Sequence, residues 1–149
     1  MANLCGVIGI GQTKYDAKRI DVSMPGLLRE AALRALDDAG LTFKDIDAVV
    51  IGKAPDTFEG VMLPENYLAD AVGATGKPLL RVHTAGSVGG STGNVAMSLV
   101  QAGIHDRVLA IAWEKQSESN AMWGLSLSPP FSVEVEVGSL ITMMVARHG

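Results

Sequence analysis

The segment that most constrains the fold is SMPGLLREAALRALDDAG, residues 23–40. Leu27, Leu28, Ala31, Ala32, Ala35, Leu36 and Ala39 recur at helical spacing and make one apolar stripe, the mark of a helix that covers a core with one face. Ser23 can accept a hydrogen bond from an early amide, Pro25 suits a first turn whose amides have no helical partner, and Gly40 ends the pattern. Two short apolar runs flank this helix. LCGVIGIG, residues 4–11, and DAVVIGK, residues 47–53, are rich in β-branched side chains and bounded by turn residues, so both read as buried strands. A strand, a crossover helix and a second strand make a right-handed unit, which leaves the two strands parallel.

The alternation continues along the chain. LPENYLADAVG reads as a short helix, PLLRVH as a third strand, SVGGSTGNVAMSLVQAG as a second long helix and DRVLAIAWE as a fourth strand. SESNAMWGLSLSPPFS, residues 117–132, reads as a loop because Pro129 and Pro130 forbid regular structure, and VGSLITMMVAR resumes a helical pattern. The expected class is therefore α/β, one domain over residues 1–149, with a mostly parallel sheet of at least four strands.

Composition narrows the function. With 149 residues and 48% hydrophobic content, the chain can fill a sizeable core. It has no run near the roughly 20 apolar residues of a membrane span and no basic flank before its first apolar stretch, so no membrane span and a cytoplasmic location are expected. The single cysteine, Cys5, rules out an internal disulfide, and three histidines scattered in sequence make no zinc pattern, so no metal site is expected. Cys5 itself reads as a buried strand cysteine. A net charge of −4, no basic cluster and 5% aromatic residues argue against nucleic acid as a partner.

The segment RVHTAGSVGGSTGN, residues 81–94, carries little side-chain bulk. A dinucleotide fingerprint is excluded at GVIGIG, where the glycine order is wrong and the next helix starts about a dozen residues later. A phosphate-cradling P-loop is excluded at GGSTGN, which has no lysine. What remains is an elbow: the strand ends at His83, the chain turns through Thr84, Ala85 and Gly86, and a helix starts near Ser87. The early amides of that helix and its positive dipole end face the turn, a setting that suits an anionic or carbonyl oxygen. Gly89 and Gly93 share one helix face, with Gly90 and Asn94 beside them. Glycine costs a helix about 1 kcal/mol against alanine, so this bare face is expected to admit a closely packed second chain segment, burying the helix on both sides.

In their succession, GVIGIGQTKY, LRALDDAGLTFKDIDAVVIG, RVHTAGSVGGST and VQAGIHDRVLAIAWEKQSES resemble the N-terminal half of thiolases, and most nearly the sterol-carrier and lipid-transfer type. The resemblance covers nearly the whole chain. It implies a thiolase-like βαβαβ half with a buried central helix, a coenzyme A thioester as substrate without further cofactor, a homodimer, and a second half, outside this chain, that completes the site. In the family a nucleophilic cysteine stands at the start of the elbow helix, where the dipole favours a thiolate. Counting back from AWEKQSES, that position is Gly86, and no cysteine lies near it. Ser87 is adjacent but has no base beside it in sequence.

A subgroup of lipid-transfer-type relatives is more similar here, with histidine, threonine, small residues and glycines at the elbow. Some of its members act as retro-aldolases on steroid side-chain acyl-CoA esters together with a small OB-fold partner subunit. Breaking a carbon–carbon bond this way needs proton removal and enolate stabilisation but no acyl-enzyme. The resemblance thus implies acyl-CoA chemistry in lipid or steroid metabolism, by retro-aldol cleavage or lipid transfer rather than thiolysis. The alternative is a non-catalytic acyl-CoA- or lipid-binding or assembly subunit with a degenerate site. Candidate substrate-contacting residues are His83, Thr84, Gly86, Ser87 and Gly89 at the elbow, with Met122, Trp123 and Phe131 from the apolar loop. No residue is assigned as catalytic. His83 reads first as a structural histidine bonded to backbone and only second as a substrate contact, and Glu114 and Lys115 as residues that pair or support the adjacent loop.

Overall fold

The computed structural model describes residues 4–53, 60–115 and 118. Helix α1, Met24–Ala39, runs between the boundaries its sequence suggests. The Ser23 side chain accepts a hydrogen bond from the Gly26 amide, and Gly40 turns into the left-handed region at φ 65°, where its amide meets the carbonyls of Asp37 and Leu36. A short 3₁₀ turn, Phe43–Asp45, then leads into strand β1, Ala48–Gly52. In that turn Asp45 Oδ2 accepts 2.8 Å hydrogen bonds from both the amide and the hydroxyl of Thr42, which hold its carboxyl below the usual carboxylate range. Helix α2, Pro64–Leu68, precedes strand β2, Leu79–Val82. A second 3₁₀ turn, Ala85–Ser87, enters helix α3, Val88–Gln101, and strand β3, Val108–Ala112, follows.

The three strands are all parallel, in the order β2-β1-β3, with Ile51 level with Arg81 on one side and Ile111 on the other. Alternation along the strands divides the side chains between two layers. Val49, Ile51, Leu109 and Ile111 join Met24, Leu28, Ala32 and Leu36 of α1 and Leu68 of α2 in one apolar cluster. On the other face Gly52 lies against Thr92 and Val88 of α3, so closely that a Cβ at Gly52 would collide with the Thr92 hydroxyl. Strand β1 is buried throughout, as a central parallel strand covered on both faces must be. At its amino end, the Asp47 carboxylate accepts hydrogen bonds from the Asp106 and Arg107 amides at 3.1 and 2.8 Å, which fixes the approach to β3.

Three expectations are corrected. Residues 4–11 form no strand: the segment pairs with neither outer edge of the described sheet, and Leu4, Val7, Ile8 and Ile10 are exposed and Cys5 only part-buried. It leans instead on α1, where the Ile10 amide donates to Asp38 Oδ2 at 2.9 Å and a Cβ at Gly9 or Gly11 would strike the backbone of Ala35 or Ala31. The glycines of GVIGIG thus serve a close approach to a helix. Second, three strands rather than four are present among the described residues, because the first expected strand never pairs. Third, α3 buries Val88, Thr92 and Ala96 toward the sheet, while Gly89 and Gly90 are exposed and no described segment covers them. The expected loop at 117–132 and the helical pattern after it fall, apart from Glu118, outside the described residues.

Candidate functional site

The elbow is built where parallel strands end, the place at which α/β sheets leave a crevice for ligands. Strand β2 delivers His83, and Thr84 (φ −134°, ψ 37°) begins the turn. Ala85 then takes φ 46°, a left-handed backbone for which a residue with a Cβ is poorly suited. Such a conformation costs roughly 1–2 kcal/mol and persists only where the surroundings impose it, often at functional sites. The glycine-poor part of the turn, not Gly86, therefore carries its strain. Nothing in the residue type alone signals this, since alanine has the highest intrinsic helix propensity.

Hydrogen bonds hold the turn closed. The Ser87 amide and hydroxyl both donate to the Thr84 carbonyl, at 3.2 and 2.8 Å, and the Val88 amide donates to the Ala85 carbonyl. The Thr84 hydroxyl donates to Ser91 Oγ at 2.8 Å, tying the turn to the first turn of α3. These bonds correct the expectation that the earliest amides of the helix all face the crevice, because a 3₁₀ turn inserted before α3 uses two of them. They also direct the Ser87 hydroxyl to a carbonyl, which cannot take its proton; a serine so placed is not activated for attack.

His83, Thr84, Ala85, Gly86, Ser87, Gly89 and Gly90 are all exposed, and a Cβ built at Gly86, Gly89, Gly90 or Gly93 meets nothing within 4 Å. The predicted elbow residues thus lie together on an open, side-chain-poor surface at the start of a helix. Of the other predicted contacts, Met122, Trp123 and Phe131 lie outside the described residues. Cys5 stands at the opposite end of the sheet, beside Ile46, Asp106 and Arg107, which precede β1 and β3. It cannot substitute for a thiol at the elbow.

Next to the elbow strand the structure places a charged pair whose burial the sequence reading did not foresee. Lys53 follows β1 with its side chain wholly buried, and its Nζ lies 3.9 Å from Glu114 Oε2, just beyond β3. The Lys53 amide donates to the Val82 carbonyl at 3.4 Å, so the residue touches the ends of all three strands. Burying an ammonium group costs several kcal/mol unless it is paired and hydrogen-bonded. A lysine closing an otherwise apolar, fully covered strand is the signal that could have revealed it. Glu114 thus faces Lys53, while Lys115 supports the adjoining chain: its Nζ donates to the Val22 carbonyl at 2.6 Å and pairs with Glu118. Among the described residues no group of histidine, cysteine, aspartate or glutamate is arranged to hold a metal ion, and no helix is long and apolar enough to cross a membrane.

A parallel three-layer half-domain, with a strained elbow leading from an outer strand into a glycine-faced helix, is the class these features define. Residues 7–146 match the model of the thiolase N-terminal domain, and the chain belongs to that family. An acetyl-CoA acetyltransferase of Methanothermobacter thermautotrophicus is 31% identical over a region covering 95% of this chain and 38% of the relative. Sterol carrier protein 2 of Bos taurus is 30% identical over 100% of this chain and 26% of its own length. The chain therefore spans well under half the length of these curated relatives. Among solved structures, 3-oxoacyl-(acyl-carrier-protein) synthase III from Aquifex aeolicus superposes with a TM-score of 0.57 at 23% identity, over 68% of this chain and 33% of that one; this likeness speaks for the fold alone. The thiolase resemblance read from the sequence is thus borne out for family and fold.

Proposed function

We propose that this chain contributes the elbow half of an acyl-CoA site in lipid metabolism, and that the site works without an acyl-enzyme, by retro-aldol carbon–carbon cleavage or by carrying the lipid. The observation that carries this reading is the elbow itself: the Ser87 hydroxyl is bonded to a carbonyl and Cys5 lies at the other end of the sheet, and the family resemblance would put its nucleophile at Gly86. Its relatives' names, acetyl-CoA acetyltransferase and sterol carrier protein 2, support the substrate class.

In the retro-aldol reading a base takes the proton of the substrate's β-hydroxyl. The O–H electron pair becomes the new carbonyl, the adjacent carbon–carbon bond breaks, and the departing pair forms the thioester enolate. Protonation of that enolate yields the shortened acyl-CoA. The N-terminal end of α3 would stabilise the enolate oxygen through its dipole and through amides that the 3₁₀ turn leaves available. The bare glycine surface would let the thioester approach the backbone without steric cost. The base, and the cover for the glycine face, come in this reading from a second thiolase half or a partner subunit such as an OB-fold chain. A homodimer, the coenzyme A thioester as the sole small molecule required, and a cytoplasmic setting belong to the same proposal.

The test is thiolysis of acetoacetyl-CoA followed at the thioester absorbance, beside equilibrium binding of the same acyl-CoA. Binding without thiolysis is expected, together with acyl-enzyme trapping by mass spectrometry once Gly86→Cys is combined with the second half. Thiolysis by the unsubstituted chain that survives Cys5→Ser would overturn the reading. A second reading, a non-catalytic binding or assembly subunit, is favoured by the closed hydrogen bonding of both elbow hydroxyls. Binding of acyl-CoA with no turnover of a β-hydroxyacyl-CoA, even in the presence of the second half, would select it.

A further inference from the structure

We draw no further inference here: the strongest candidate, the apolar slot of about 440 Å³ between residues 5–11 and the outer side of β3, carries nothing because no described residue shows what covers it.

Discussion

Helices α1 and α3 flank the same sheet and are similar in length, 16 and 14 residues, yet they are built to opposite specifications. The first is capped at both ends and presses Leu28, Ala32 and Leu36 into the core at 4% exposure or less. The second has no side-chain N-cap, is entered through a strained alanine, and sets glycines on its outward face where most helices carry polar side chains. Local preference and tertiary packing agree in α1, as a segment selected for stability requires. In α3 they conflict: glycine weakens the helix and the left-handed Ala85 weakens its entry, with nothing in the described chain compensating on the outer side. Such a conflict marks the part of a molecule shaped by what it meets rather than by its own core.

Substitutions in and around the two helices test this difference. Leu28→Ala should have the largest effect, a loss of about 2–5 kcal/mol in urea unfolding, because a side chain with 1% exposure leaves a cavity in the main apolar cluster. A loss below about 1 kcal/mol would mean that α1 is not the stability element described. Gly52→Ala should cost roughly 1–3 kcal/mol by forcing α3 away from the sheet, and Thr92→Ala in the same chain should recover part of it, since the Thr92 hydroxyl is what a Cβ would strike. If the two substitutions proved simply additive, the close contact between β1 and α3 would be ruled out.

Ala85→Gly should stabilise the isolated chain by up to about 1 kcal/mol, the left-handed strain removed less the added chain entropy. Thermal melting that falls instead would show that the φ of 46° is not a local strain. The smallest expected change in intrinsic stability is for Gly89→Leu. On the bare face it should leave the melting temperature of the chain alone equal or slightly higher, given that leucine is the better helix former by less than about 1 kcal/mol. If a partner or second half covers that face, the same variant should lose assembly in light scattering; unchanged assembly would argue that the glycine face is not a packing surface.

Much of the architecture was legible because it depends on local chemistry. The limits of α1 follow from Ser23, Pro25 and Gly40, and the positions of β1, β2, α3 and β3 follow from short apolar runs between turn residues. The place of the elbow was legible too, since its glycines serve no purpose in a helix left to itself. The first apolar run misled for an equally physical reason. Residues 4–11 have the composition of a buried strand, but they lie against α1, with the Ile10 amide bonded to Asp38 and Gly9 and Gly11 close to the helix backbone, and they pair with no described strand. Composition states a preference for extended backbone and cannot say which strand will hold the adjoining position.

The order of residues alone was enough to give a parallel α/β unit whose second long helix starts from a small-residue turn. Only the tertiary structure decided that Ala85 bears the strain, that the Ser87 hydroxyl is committed to the Thr84 carbonyl, and that Lys53 is buried 3.9 Å from Glu114. The division has one cause. Caps, apolar periodicity and glycine content act within a few residues and are written in their order, whereas a close contact between β1 and α3 or a charge pair joining β1 to the end of β3 exists only once distant segments have been brought together and water excluded between them.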